Sequence, residues 1–206
     1  MYMNQANKSL TGEVRLSYVH LAAPYANPQQ PNAEPKFSVT LLIPKTDLVT
    51  KQDLDNSINA AINAAVNGKM WNGVRPPVIP TPIHDGDGVR QDGTPYGPEC
   101  KGMWVLTASR RAQDGKPWVC DISNPNVELA PQDSYSGMYA RCTVHFFGYK
   151  NSGKKGIGCS LDGVMKTRDG ESLGGAVKPT ANEFAQFASM GTDAGPQINP
   201  VTGLPM

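Results

Sequence analysis

Residues 138–149 alternate between apolar and polar side chains with a period of two, and this pattern constrains the fold more than any other part of the chain. Every even position is apolar. The odd positions carry rings, one hydroxyl and basic groups: Tyr139, Arg141, Thr143, His145, Phe147 and Tyr149. Successive side chains of a strand point to opposite faces. The segment is therefore predicted to be a strand with one face in the core and the ring-bearing face outward, provided that no bulge intervenes.

The same period predicts further strands along the chain. They are expected at 13–21, 36–43, 103–111, 117–121 and 157–166. A tight turn at 113–116 is predicted to join 103–111 to 117–121 as a hairpin, and 157–166 is predicted to return beside 138–149. Val14, Leu16 and Tyr18 are expected to share one face of the first strand. Phe37, Trp104 and Phe146 are expected on apolar faces of their strands.

One amphipathic helix is predicted after the second strand. Thr50 is expected to cap it with Asp53 three residues later, and Gly68 to end it. Its apolar positions recur at steps of three and four: Leu54, Ile58, Ala61, Ile62, Ala65 and Val66. This narrow stripe predicts packing on a sheet or on one end of a barrel.

Glycine and proline exclude a helical bundle or coiled coil, because both residue types break helices. The chain of 206 residues contains 21 Gly and 18 Pro, and they are dense enough over 72–98 that no regular element is expected there. The length suits one domain. We therefore predict a mainly β domain with one helix between strands and long loops rich in proline and glycine.

The formal net charge of +1 gives no global preference for a polyanion. Its distribution is uneven: 11 Lys and Arg stand against 7 Asp and Glu from Lys101 to Lys178, whereas only Glu183 and Asp193 are charged side chains beyond it. This favours an anionic ligand, although scattered surface charge explains it equally well. Without an apolar run long enough to cross a bilayer, the chain is expected to be soluble and cytoplasmic.

The four cysteines are spaced about twenty residues apart, without the close pairs that zinc sites use. They are Cys100, Cys120, Cys142 and Cys159. We expect reduced, mostly buried thiols and no structural metal.

The outward face of 138–149 has the composition of a surface for single-stranded nucleic acid, which needs rings for bases and cations for phosphates. The alternative is that its rings are half-buried beneath loops. Arg110 and Arg111 with Trp118 supply the same combination on the preceding strands. The predicted contact residues are Arg110, Arg111, Trp118, Tyr139, Arg141, His145, Phe147, Tyr149, Lys150, Lys154 and Lys155.

No nucleophile, zinc-protease or phosphate-loop motif occurs in the chain, so the sequence predicts neither an enzyme nor a cofactor. The segment 84–88, His-Asp-Gly-Asp-Gly, resembles a metal loop but departs from the EF-hand pattern. It is interpreted as turn chemistry, with a divalent ion as the alternative.

Several short segments, in order along the chain, carry a family resemblance. They are Val14–Tyr18, Lys36–Lys45, His84–Asp87, Tyr135–Arg141 and Lys155–Lys166. Together they resemble a tailed-phage family of single-stranded-DNA-binding proteins, from about Gly12 to Phe184. Tyr135, Gly137, Tyr139 and Arg141 match the family's motif.

The resemblance implies a five-stranded OB-fold Greek-key barrel, no catalysis, and sequence-independent binding of single-stranded DNA in phage replication or recombination, inside the infected bacterium. The composition beyond residue 178, rich in Pro, Gly, Asn and Ala, predicts a mobile tail at 179–206 with a short helical stretch at 182–190. The domain is expected at 12–178, after a flexible segment at 1–11. Phage or host replication proteins are the expected further partners. The tail lacks the strong acidity that many such proteins use for recruitment. A virion assembly protein and a metal-dependent nuclease using Asp85, Asp87 and Asp92 are the alternatives.

Overall fold

In the computed structural model, the described residues are 6–26, 28, 33–68, 70–90, 92–151 and 153–174, and they contain nine strands and one α-helix. The strands are β1 (Lys8–Leu10), β2 (Val14–Tyr25), β3 (Lys36–Pro44), β4 (Ile83–Asp85), β5 (Met103–Arg111), β6 (Trp118–Asp121), β7 (Asn124–Glu128), β8 (Tyr139–Asn151) and β9 (Lys154–Arg168). The helix is α1 (Leu48–Asn67). The predicted boundary at 178, the tail and its helical stretch lie outside the described residues.

Five of the strands close into a barrel. β2 pairs with β3, β3 with β5, β9 with β8 and β8 with β2, all antiparallel, while β5 and β9 pair in parallel. The resulting ring, β2–β3–β5–β9–β8, is a five-stranded barrel with one helix between strands, and the predicted OB-like fold class is confirmed. Three of the remaining strands, β1, β4 and β7, were not predicted, and β4 lies within the loop region 72–98.

The predicted hairpin between β5 and β6 is wrong, because β9 lies between these two strands. Trp118–Asp121 pairs in parallel with Gly163–Lys166 of β9. The chain leaves β5 through a 3₁₀ turn at Ala112–Asp114, which ends at Gly115 with a φ of 83°. Gly115 thus marks where the chain turns. Which strand pairs with the short β6 is decided by the closed barrel, because the barrel places β9 beside it.

The core fills the barrel and the space beneath α1. Side chains of all five barrel strands contribute to it, including Phe37 and Phe146 as predicted, while Trp104 is half-buried against it. The predicted stripe of α1 is buried as well: Leu54, Ile58, Ala61, Ile62 and Ala65. Gly148 of β8 has no Cβ, and the Cβ of Ala65 occupies that space. Helix and barrel therefore approach closely, as the small residues of the stripe predicted.

The start of α1 differs from the prediction. Asp47, not Thr50, is the N-cap, and its Oδ1 accepts a hydrogen bond from the Thr50 amide at 3.0 Å. The Thr50 hydroxyl is buried and accepts from the amide of Gly12 at 2.8 Å, so it joins the helix to the segment before β2. Gly68 ends the helix as predicted.

The prediction that Tyr18 shares a face with Val14 and Leu16 is also wrong, because those two side chains are buried. The Tyr18 side chain is 59% exposed and its φ is 47°. Ser17 pairs with Thr40 and His20 with Ser38, so β2 advances three residues while β3 advances two. This bulge breaks the alternation that the sequence suggested.

All four cysteines are buried free thiols, as predicted. Burial raises the pKa of Cys142 to about 12 and raises that of Cys159 as well. In the described part of the chain, α1 contains too few apolar residues to span a bilayer, and every other helix is only three residues long.

Candidate functional site

The outer face of β8 carries the side chains that the alternation predicted. Arg141 and Phe147 are exposed, and His145 and Tyr149 are half-buried. The intervening positions are buried: Ala140, Cys142, Val144 and Phe146. Register shifts after Tyr139 and Thr143 do not disturb this pattern. One side of the strand thus belongs to the core and the other presents rings and cations.

Two rings of β8 lie over glycines of β9. Phe147 pairs with Gly158, and Tyr149 with Gly156. A Cβ on Gly158 would come within 2.6 Å of the Phe147 Cζ, and one on Gly156 within 2.5 Å of the Tyr149 Oη. The rings therefore occupy space that side chains of β9 would otherwise fill. Phe147 remains 44% exposed in this position, so part of its ring surface is open to a planar ligand.

Three lysines lie at the tip of the β8–β9 hairpin, next to Tyr149. Lys150 pairs with Lys155, and both Lys150 and Lys154 are exposed. The Lys155 ammonium donates to the carbonyl of Trp71 at 3.3 Å, and the buried Trp71 indole donates to the carbonyl of Tyr149 at 3.1 Å. The segment after α1 thereby anchors the hairpin. By alternation Lys154 lies on the face of the two rings, whereas Lys150 and Lys155 lie on the opposite face, where Lys155 contacts Trp71. We name Phe147, Tyr149 and the three tip lysines Lys150, Lys154 and Lys155 together the hairpin surface.

Asp162 joins three basic groups beside the hairpin surface. Its carboxylate lies 2.8 Å from Nδ1 of His145, 3.2 Å from the Lys8 ammonium and 3.8 Å from the Arg110 guanidinium. Burial raises the pKa of Asp162, but the hydrogen bond to His145 and the charge of Lys8 outweigh it and hold that pKa below its ordinary value. The carboxylate thus neutralises part of the positive charge of this face.

Arg110, Arg111 and Trp118 lie on the far side of β9 from β8. The Arg110 Nε donates to the carbonyls of Asp114 and Gly115 at 3.1 and 2.9 Å. Arg111 is exposed and pairs with the Asp114 carboxylate at 2.8 Å. Trp118 is 49% exposed, and its indole donates to the carbonyl of Pro125 at 3.2 Å. Because Trp118 pairs with Gly163 and Arg110 reaches Asp162, β9 brings both predicted groups to neighbouring positions.

Tyr139 and Arg141 lie at the other end of β8. The Arg168 guanidinium carbon is 3.4 Å from the centre of the Tyr139 ring, and that of Arg15 is 5.9 Å away. Arg168 also pairs with Glu13 at 2.9 Å. These contacts leave the Tyr139 ring engaged by the protein, whereas Arg141 is exposed.

The other two residues of the family motif, Tyr135 and Gly137, precede β8 and contact the segment that follows β9. The Tyr135 hydroxyl donates to the Asp169 carboxylate at 2.9 Å. Gly137 has a φ of 115°, and the carbonyl of Glu171 occupies the position of a Cβ. Both contacts are structural.

The sequence analysis missed Lys8, Asp162 and the two glycines beneath the rings. Lys8 lies on the short strand β1 and is the cross-strand partner of His145. The glycines did carry a signal, since Gly156 and Gly158 repeat at the two-residue period of Phe147 and Tyr149 on the facing strand. Lys8 and Asp162 carried no such sequence signal, because neither short-range spacing nor composition relates them to His145.

The loop after β4 is held by an ion pair. The Lys45 ammonium contacts the carboxylates of both Asp85 and Asp87, the latter at 2.7 Å. Asp85 also accepts from the amide of Asp87 at 2.9 Å, and Asp87 from that of Gly102 at 3.0 Å. An ammonium therefore occupies the position between the two carboxylates where a metal ion would bind. These contacts favour the interpretation as turn chemistry.

Comparison with known proteins gives matches over most of the chain. A model of the family described as Enterobacter phage Enc34, ssDNA-binding protein, matches residues 7–194. Protein p50 of Acyrthosiphon pisum secondary endosymbiont phage 1 is 31% identical over 183 residues, which are 84% of this chain and 92% of that protein.

Solved structures agree with the barrel. The single-stranded DNA-binding protein from bacteriophage Enc34 in complex with ssDNA is 30% identical, with a TM-score of 0.67 over 82% of this chain and 91% of that chain. The single-stranded DNA binding protein of bacteriophage T7, at 16% identity and a TM-score of 0.54 over 87% and 93% of the two chains, shares the fold. From the family match and these relatives, the chain belongs to the Enterobacter phage Enc34 ssDNA-binding protein family.

Proposed function

We propose that this protein binds single-stranded DNA without sequence preference and without catalysis, during replication or recombination of a phage genome in the cytoplasm of the infected bacterium. The Enc34 relative, solved in complex with ssDNA, supports the ligand. Bases would stack on the hairpin surface, and the surrounding cations would neutralise phosphates.

The position of the Phe147 ring over Gly158 carries the proposal. The ring is supported by β9 from below and is 44% exposed above. Every base has a π-face, so a supported ring binds any base, and stacking contributes about 1–3 kcal/mol per base. Tyr149 over Gly156, two residues further along the hairpin, extends this platform.

The cations near these rings suit a phosphate backbone. Lys150, Lys154 and Lys155 lie at the hairpin tip. Arg110 and His145 contact Asp162 in the middle of β9, and Arg111 follows Arg110 at the end of β5. Trp118 supplies a further half-exposed ring. We retain Arg141 as an exposed phosphate contact and assign Tyr139 a structural role instead of base stacking, because Arg168 covers its ring.

The absence of catalysis is supported by the chemistry of the acidic loop. The carboxylates of Asp85 and Asp87 are engaged by Lys45, and that of Asp92 accepts from the hydroxyl and amide of Thr94. Their contacts are those of a folded turn. A nuclease would need these groups free to hold an ion and a water.

Fluorescence titration with single-stranded and duplex DNA of the same composition, at several salt concentrations, tests the proposal. We expect tighter binding of the single strand and an affinity that falls with salt. Phe147→Ala should weaken binding by about fivefold or more, whereas Phe37→Ala, in the core, should mainly lower the melting temperature. Undetectable binding, or binding insensitive to salt, would refute the proposal.

A further inference from the structure

The face of the β8–β9 hairpin opposite to the rings carries positive charge of its own. Lys150 and Lys155 lie on that face and are cross-strand partners. The Lys155 ammonium donates to the carbonyl of Trp71 at 3.3 Å, so the segment after α1 meets the hairpin here. Because the rings of Phe147 and Tyr149 lie on the other face, a ligand of this face need not be DNA.

Residues 70–83, which follow α1, pass along this face of the hairpin. We name them the proline segment, since they contain Pro76, Pro77, Pro80 and Pro82. The segment contacts β8 at Trp71, whose indole donates to the carbonyl of Tyr149 at 3.1 Å. It contacts β9 at Pro80, whose carbonyl accepts from the amide of Ile157 at 3.0 Å. These contacts hold the proline segment against both strands of the hairpin.

The proline segment exposes aliphatic side chains. Met70, Val74 and Val78 are 46%, 61% and 78% exposed. Single exposed aliphatic residues are common on protein surfaces, whereas a group of them marks a contact with another molecule. Three on one short segment therefore indicate a docking surface.

The same surface carries unpaired positive charge. Arg75 is exposed, and in the described part of the chain Arg75, Lys150 and Lys155 take part in no ion pair. The two stretches that build this surface, 56–84 and 134–161, contain no Asp or Glu. The charge is therefore available to an anionic ligand.

A cavity of about 350 Å³ lies next to the end of the proline segment. Its lining is mostly apolar, with two polar residues: Ile58, Ile62, Ile83, Trp104, Asn59 and Thr81. Lys155 and Ile157 are two residues apart on β9, about 7 Å, and Ile157 contacts Pro80, which directly precedes Thr81. A peptide of about five extended residues, about 16 Å long, therefore reaches from the tip lysines to the cavity.

The chemistry of this surface suits an acidic peptide better than nucleic acid. Base stacking needs an open ring, yet Trp71 is only 1% exposed. The Trp104 ring in the cavity already has the ammonium groups of Lys45 and Lys51 at 5.0 and 4.8 Å from its centre. Exposed aliphatic groups and an apolar cavity instead bury the side chains of another protein, and carboxylates pair with guanidinium and ammonium groups.

We propose that the proline segment and the adjoining hairpin face form a docking site for an acidic, extended segment of a partner protein. Its carboxylates pair with Arg75 and Lys155, and with Lys150 at the border with the stacking platform. Its apolar side chains pack on Val74 and Val78, and one of them enters the cavity. The inference goes beyond the proposed function and does not depend on DNA binding.

Fluorescence anisotropy with a labelled synthetic peptide, a run of aspartates with leucines on both sides, tests the site. Two comparison peptides replace every aspartate by asparagine or every leucine by serine. Arg75→Glu reverses a charge of the surface, and Lys101→Glu, at an exposed position before β5, is its control. Asn59→Phe fills the cavity from an exposed position of α1. Ala64→Phe, exposed and about 140° further around the helix, is the second control.

We expect the aspartate and leucine peptide to bind, and both comparison peptides to bind at least about fivefold more weakly. Arg75→Glu should weaken peptide binding by about tenfold at low salt and by less at high salt, because the repulsion is screened. Asn59→Phe should weaken it by about fivefold. The two control variants should keep the wild-type affinity. Thermal melting identifies a variant that fails to fold; if Asn59→Phe does so, Arg75→Glu decides alone.

The variant Phe147→Ala separates this site from the stacking platform. It should impair binding of oligo(dT) and leave peptide affinity unchanged, whereas Arg75→Glu should do the reverse at moderate salt. Equal affinity for the three peptides, or wild-type peptide affinity in both Arg75→Glu and Asn59→Phe, would overturn the docking site. Loss of peptide binding in Phe147→Ala would overturn it as well, because the peptide would then occupy the platform. Weaker oligo(dT) binding by Arg75→Glu, without peptide binding, would assign the surface to DNA. Failure of the wild type to bind oligo(dT) would overturn the proposed function alone.

Discussion

The ring of Phe147 lies so close to the backbone of Gly158 that a Cβ on this glycine would come within 2.6 Å of the ring's Cζ. The two residues are cross-strand partners in the β8–β9 hairpin. The glycine therefore determines where the phenylalanine ring lies, and through it the position of the platform proposed to bind bases.

Gly158→Ala should weaken DNA binding while leaving most of the stability intact. The added methyl group displaces the exposed ring of Phe147 from its supported position, and a loss of part of the stacking energy predicts an effect of about threefold to tenfold. Gly88→Ala, in the loop after β4 where we place no DNA contact, is the matched control, because its Cβ would meet nothing closer than the carbonyl of Asp85, at 3.3 Å. Titration of both variants against oligo(dT) makes the comparison. Equal affinities would show that the ring's position does not matter.

Asp162→Asn should strengthen DNA binding and weaken the fold. Without its negative charge, Lys8, Arg110 and His145 are free to attract phosphates, so affinity at low salt should rise about threefold. Unchanged or reduced affinity in a folded variant would argue against phosphate contacts by these groups.

The stability change of this variant should depend on pH. The pKa of Asp162 is held below its ordinary value, so the ionised carboxylate stabilises the fold above the pKa of the unfolded chain, and this contribution disappears as pH falls through the lower folded-state pKa. The wild type should therefore melt at a higher temperature than Asp162→Asn near neutral pH, and the difference should shrink below about pH 4. Calorimetry across this range measures it. A difference that grows with acidification would contradict the assigned direction.

Simultaneous Lys150→Ala and Lys154→Ala should flatten the salt dependence of binding. Each cation lost from a contact with single-stranded DNA lowers the slope of log K against log salt by about 0.7, so the pair predicts a decrease of about 1.4. Lys101→Ala is the control. Lys101 is exposed two residues before β5 begins, where we place no DNA contact, so its loss should not change the slope. A slope that is unaffected by the double change would place the DNA away from the hairpin tip.

Cys142 and Cys159 should resist thiol reagents in the native protein. The thiolate is the reactive form, and burial raises the pKa of Cys142 to about 12 and that of Cys159 in the same direction. Reaction with Ellman's reagent should be slow under native conditions and complete in denaturant. Fast native labelling of these residues would show that the barrel opens readily.

The alternation of 138–149 predicted the outer rings of β8 correctly, because the two-residue period follows from backbone geometry alone. The period of α1 likewise predicted its buried stripe and its packing on the barrel. Both patterns are local, and both survive in the structure with their predicted faces. The alternation of β2 did not survive, because the bulge at Tyr18 moves His20 to the outer face and a second register shift follows between His20 and Tyr25.

The amino-acid sequence by itself thus determined the β class, the single helix, the face of Phe147 and Tyr149, and the family to which the chain is similar. Only the tertiary structure decided that β9 separates β5 from β6, that Asp162 gathers Lys8, Arg110 and His145, and that His20 reaches the outer face. The physical reason is distance along the chain: periodicity records which way a side chain points, whereas strand partners and bulges depend on how segments far apart in sequence close the barrel.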